Sequence, residues 1–147
     1  MVGLLVLSGN VASAQDLSKL VTRADVEKVT GAKFKDGWQP MKTQIAFAQD
    51  GGDLQVSVDL DMPDAGKTVR TWEATMKKMS PDTRVETIAG IGRDAIFYST
   101  RPDSGKLSAD FAGPRQLSVA VAGAKTPTHA KQIVVDLARI VAPRIAK

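Results

Sequence analysis

The spacing of apolar and polar positions changes several times along the chain, and each change marks an element. Residues 53–61 alternate strictly, with Leu54, Val56, Val58 and Leu60 on one side and Gln55, Ser57, Asp59 and Asp61 on the other. Period two with one apolar side predicts a strand with one buried and one wet face. Residues 43–50 alternate around Ile45 and Phe47, and Asp50-Gly51-Gly52 is a turn signal, so the two segments predict a hairpin. Phe34 and Trp38 fall in an irregular or extended link closed by Pro40. In the second half, segments 84–88 and 94–99 flank a bend at Gly90 and Gly92. Segments 106–111 and 116–122 alternate, with Leu107, Ala109, Phe111, Leu117, Val119 and Val121 inward. Short strands joined by tight turns predict an antiparallel meander.

Three segments follow the helical period instead. In 16–30, Thr22 and Asp25 form something close to a capping box, and Gly31 is placed to end the helix in a left-handed conformation. Pro63-Asp64 predicts the start of a second helix, with Val69, Trp72, Met76 and Met79 as a narrow apolar stripe and Pro81 beyond its end. The third has Thr126 as N-cap and Pro127 at its first position. Its apolar face runs from Ala130 through Ile133 and Leu137 to Val141, and Pro143 loosens the final turn. The order predicts an α+β fold, an antiparallel meander sheet with three helices (short N-terminal, middle, long C-terminal) packed on it.

If all the helices take the apolar side, the other face of the sheet is small and polar, which makes it either solvent surface or a docking face. The segment 94–99 differs, because Ala95 and Phe97 alternate with Ile96 and Tyr98. Apolar residues on both sides predict a central strand or one aromatic exposed as a contact anchor. The candidate partner-contact residues are therefore Gln55, Ser57, Asp59, Tyr98 and Asp110.

Composition narrows the chemistry. With 43% hydrophobic and 24% charged residues over 147 positions, residues 15–147 can form one domain whose core needs no disulfide or metal. The absence of cysteine excludes thiol catalysis, Cys-based zinc sites and a lipidated N-terminal cysteine, and a single histidine, His129, excludes a histidine metal cluster. Residues 1–14, MVGLLVLSGNVASA, read as a signal peptide, with Ala12-Ser13-Ala14 predicting cleavage before Gln15. The apolar stretch is too short for a membrane anchor. No Lys or Arg precedes it, which keeps a buried N-terminal strand open as the alternative. Export would place the protein in a periplasm or outside the cell.

The net charge of +4 comes from residues 80–147, where Lys and Arg are scattered rather than clustered among aromatic or glycine residues, so no nucleic-acid partner is expected. Asp59, Asp61 and Asp64 are the candidates for a hard cation. They lack the six to eight oxygens calcium needs, and read as a solvated strand end and a helix cap. Met62, Met76 and Met79 with His129 suggest soft-metal chemistry, but the helical stripe assigns the last two methionines to packing. Gly90-Ile91-Gly92-Arg93-Asp94-Ala95 has the look of a phosphate-binding turn, yet a strand follows where a helix is required. No nucleophile elbow is present, and no cofactor is implied.

The runs Leu20-Val21-Thr22-Arg23-Ala24-Asp25-Val26-Glu27 to Gly31, Gly90-Ile91-Gly92-Arg93-Asp94-Ala95-Ile96-Phe97-Tyr98 and Leu117-Ser118-Val119-Ala120-Val121, with the closing amphipathic helix, resemble small exported proteins of the broad PsbP-like α/β/α class. The resemblance implies an antiparallel sheet carrying helices, an exported location and a non-catalytic accessory role. It carries over no functional residue. The expectation is an exported, soluble accessory or binding protein with no catalytic residue, whose partner is another exported or envelope protein. The alternative is a periplasmic small-ligand or metal carrier, and the third reading is a hydrolase assembled from scattered acids.

Overall fold

The computed structural model describes residues 16–63 and 66–145. The expected signal peptide with its cleavage point, and Asp64, lie outside the described residues. The expected N-terminal helix is two helices, α1 (Leu17–Leu20) and α2 (Arg23–Thr30). Thr22 separates them because it is an N-cap: its backbone is extended, its hydroxyl accepts from the Asp25 N–H at 3.2 Å, and the Asp25 carboxylate accepts from the Thr22 N–H at 2.9 Å. Gly31 ends α2 at φ 70°, as its position predicts.

The strands are β1 (Trp38–Met41), β2 (Gln44–Ala48), β3 (Gln55–Asp61), β4 (Arg84–Thr87), β5 (Asp94–Ser99), β6 (Gly105–Phe111) and β7 (Arg115–Ala122). They form one antiparallel sheet in the order β1-β2-β3-β7-β6-β5-β4. The expected link around Trp38 is thus a strand. Pro40 is tolerated there because β1 lies at the sheet edge, where one ladder hydrogen bond is not required. The β3–β7 pairing joins the two halves of the chain.

One row of paired residues shows why the core lies where it does. Val58, Val119, Leu107 and Phe97 are neighbours across β3, β7, β6 and β5, and all are fully buried. The long helix α4 (Pro127–Val141) covers this face, together with α1 and α2, and inserts Ile133, Val134 and Leu137. Gly105 leaves room for the Phe97 ring beneath α4, since a Cβ there would stand 2.6 Å from that ring. A 3-10 turn, Ala142–Arg144, follows α4 and brings Arg144 back to α2.

The middle helix α3 (Val69–Met79) departs from expectation twice. It starts at an N-cap on Thr68 rather than at Pro63-Asp64, with Thr71 completing the reciprocal cap. It also lies on the opposite face of the sheet from α4. Its Trp72 ring meets Tyr98 edge-on at 6.3 Å, and its Val69 N–H donates to the Asp110 carboxylate at 3.0 Å. The two apolar sides of 94–99 explain this placement. Phe97 faces α4, whereas Ile96 points to the other face and is buried there. β5 is second from the edge rather than central, and it is buried because helices cover both its faces. Among the described residues no helix is long and apolar enough to cross a membrane.

Candidate functional site: the open half of the outer sheet face

Seated over β5 and the edge of β6, α3 covers only part of its face. The rest, formed by β2, β3 and β7, is a trough floored by small and polar side chains. Its central hollow, about 240 Å³, is lined by Gln44, Ser57, Asp59, Lys106, Ser118 and Ala120. Past Gln116 it runs into a hollow of about 440 Å³ against the flank of α3, walled by Thr71, Trp72 and Thr75. In the other direction it reaches a hollow of about 290 Å³ beside Trp38 and Pro40 of β1. A tryptophan thus stands at each side of a polar floor, 48% exposed at Trp38 and 44% at Trp72. Among the described residues the large exposed apolar side chains are these two, Met41, Met62 and Met79. All five belong to β1, α3 or the segment between β3 and α3, and the helices on the other face contribute none.

The sequence predicts the floor through Gln55, Ser57 and Asp59, and the structure brings these three together along β3. Gln55 is exposed at one end, and Ser57 and Asp59 are half-buried. Tyr98 and Asp110 are placed differently. Tyr98 is half-buried against Trp72. Asp110 accepts from the Val69 N–H and, at 3.1 Å, from the Gln116 side-chain amide, so its carboxylate caps the start of α3 from the sheet. Both residues seat α3 rather than line the open floor.

Burial pushes the Asp59 carboxyl above the usual carboxylate range, and the neighbouring Asp61 charge adds to the rise. Lys106 and the Thr43 hydroxyl, 3.4 Å away, pull it part of the way back. Among the described residues no three His, Cys, Asp or Glu side chains are grouped to hold a metal ion. Asp59 and Asp61 sit two apart on the same side of β3, and the third candidate, Asp64, is outside the described residues.

Other polar groups outside the floor have structural roles. His129 accepts from the Lys125 N–H at 3.3 Å and donates its own N–H to the Thr126 hydroxyl at 3.0 Å, closing the first turn of α4. Near the start of α3, Arg93 and Arg115 each donate to a carbonyl of the β6–β7 corner, at Phe111 and Ala112. The Gly92 bend that precedes β5 is fixed by the sheet, since φ there is 59° and a Cβ would run into the Asp110 carbonyl. That contact accounts for Gly92, and the positive φ of 83° accounts for Gly90, without a phosphate.

The sequence misses Gln44, Lys106 and Gln116 in the floor and Trp38 and Trp72 at its sides. The three floor residues carry a legible signal, each lying on the polar side of an alternating strand. The tryptophans do not, because one sits in a segment with no clear period and the other in a stripe that reads as core. The assembled trough offers amide, hydroxyl, carboxylate and ammonium groups on a flat base between aromatic walls, which is binding chemistry. Comparison with protein-family models, with curated proteins and with solved structures finds no match to this chain.

Proposed function

We propose that this chain is an exported accessory protein that binds another exported or envelope protein through the open half of its outer sheet face, without catalysing a reaction. One observation carries the reading: among the described residues, two exposed tryptophans, Trp38 and Trp72, line the hollows on either side of the polar floor, while the opposite face is covered by α4. A patch that mixes aromatic walls with a hydrogen-bonding base suits protein recognition, where Trp and Tyr supply most of the affinity. Export is supported by the signal-like segment 1–14, and the accessory role by the PsbP-like resemblance. His129 and Asp110 already have structural partners.

The test is photo-cross-linking in cells, with a benzophenone amino acid at Gln44 in the trough and, for comparison, at the exposed Arg139 on α4. Protein adducts at Gln44 and none at Arg139 are expected. Adducts at Arg139 alone, or at neither position, refute the reading.

A further inference from the structure

The open half of the outer face is large enough to seat the helix beside it, and we infer that the partner docked there is a second copy of this chain. The inference rests on the binding role proposed above and names the occupant. An 11-residue helix such as α3 is about 16 Å long and 10 Å wide. The uncovered strip β2–β3–β7 is three strands wide and about seven residues long, on the order of 14 Å by 23 Å. One chain therefore presents a ridge and, side by side with it on one face, a vacant seat large enough to hold such a ridge. A two-fold axis parallel to the strands, running between two facing sheets, sets each copy's α3 onto the other's strip. The result is a middle layer of two helices held between two sheets, an isologous contact that closes on itself.

The side chains suit that arrangement. Thr71, Ala74, Thr75 and Lys78 recur at helical spacing on the exposed side of α3, away from the fully buried Val69. Three of the four are small, and the seat they would meet has Ala46, Ser57 and Ala120 on its floor. Small residues on both surfaces let a helix approach a sheet closely. The exposed Trp72 and Met79 stand on the ridge, Trp38 and Met41 at the far edge of the seat, and the contact would cover both sets.

Charge is complementary as well. α3 begins at the Asp110–Gln116–Asp61 row of the sheet, where its first N–H meets Asp110. An axis along the strands keeps that row level in the two copies. The positive start of one α3, preceded by Lys67, then falls over the Asp59–Asp61 end of the other floor, where two carboxylates face one Lys106. Counting ridge and seat on both copies, the buried surface is on the order of 1,000 Å², at the lower bound for a specific interface.

Sedimentation of the full chain at micromolar concentration tests the inference, with a dimer mass expected. Ala120→Arg in the seat and Ala74→Arg on the ridge should each raise the dimer dissociation constant about tenfold or more, with the far-ultraviolet dichroism unchanged. Because the chain has no cysteine, oxidising a mixture of Ala74→Cys and Ser57→Cys proteins should give the mixed disulfide dimer. A monomer mass at every concentration overturns the inference, as does a dimer that neither arginine weakens. The Gln44 probe separates this failure from that of the binding reading. If it captures a different protein while the chain sediments as a monomer, binding stands and self-association falls; if it captures nothing, both fall.

Discussion

Removing the Arg144 guanidinium should loosen the junction between the two ends of the described fold, and the loss should depend on pH. Arg144 follows α4 in the 3-10 turn. Its two terminal nitrogens donate to the two oxygens of Asp25, at 2.6 Å and 3.1 Å, and one of them also donates to the Leu20 carbonyl at 3.2 Å. Asp25 is at the same time the capping residue of α2, accepting from the Thr22 N–H and hydroxyl. The Asp25 side chain is only 13% exposed, and the Arg144 side chain is 39% exposed. Burial alone would raise the Asp25 pKa, but the bonds from Arg144 and Thr22 outweigh it and hold the carboxyl below its usual range.

Hydrogen bonds between charged groups contribute about 1.5–3 kcal/mol when buried. With Arg144 partly in water, the lower part of that range applies, so Arg144→Met should cost about 1.5–2 kcal/mol at pH 7. For a chain of this size that is about 4–8 °C in Tm. The sign of the pH effect follows from the lowered pKa. The carboxylate's contribution is fully present above the unfolded-state value of about 3.9 and is lost as pH falls through the lower folded value. Thermal melts of wild type and Arg144→Met from pH 7 to pH 2.5 should therefore differ most at pH 5–7 and approach one another only as pH falls from about 4 toward 2.5. A gap that stays constant down to pH 2.5 would show that Arg144 acts by packing and not through Asp25, refuting the reasoning.

Three further outcomes follow from the same structure. Gly123 sits at φ 81° with the Asp53 carbonyl where a Cβ would go, so Gly123→Ala should destabilise by about 1–3 kcal/mol in urea unfolding. Phe97 is fully buried beneath α4 beside Gly105, and Phe97→Ala should cost about 3–5 kcal/mol, read as a lower urea midpoint. Asp59 has the opposite sign to Asp25: its carboxyl is raised by burial and by Asp61, so its charge opposes folding at neutral pH and the penalty is relieved as pH falls through the raised value. Asp59→Asn should accordingly raise Tm at pH 7, with the gain disappearing toward pH 3; a lower Tm at pH 7 would show that the carboxylate has a stabilising partner.

The local elements were legible in the residues because their causes are local. Alternation along 53–61, the Thr22–Asp25 cap and the Thr126-Pro127 start each depend on neighbours within a few positions, and each appears in the structure as expected. The α+β class follows from their order. What residue spacing leaves open is the side of the sheet on which an amphipathic helix settles, because a stripe such as Val69–Trp72–Met76 fits either face. Tertiary packing decided that. Ile96 on the outer side of β5 and the Asp110 carboxylate at the start of the helix draw α3 to the face opposite α4. That one placement seats Tyr98 and Asp110 under the helix, leaves Gln55, Ser57 and Asp59 on the uncovered side, and makes of the polar strip β2–β3–β7 a trough with a ridge beside it. The trough depends on contacts 41 residues apart, between Val69 and Asp110, and no period read along the chain spans that distance.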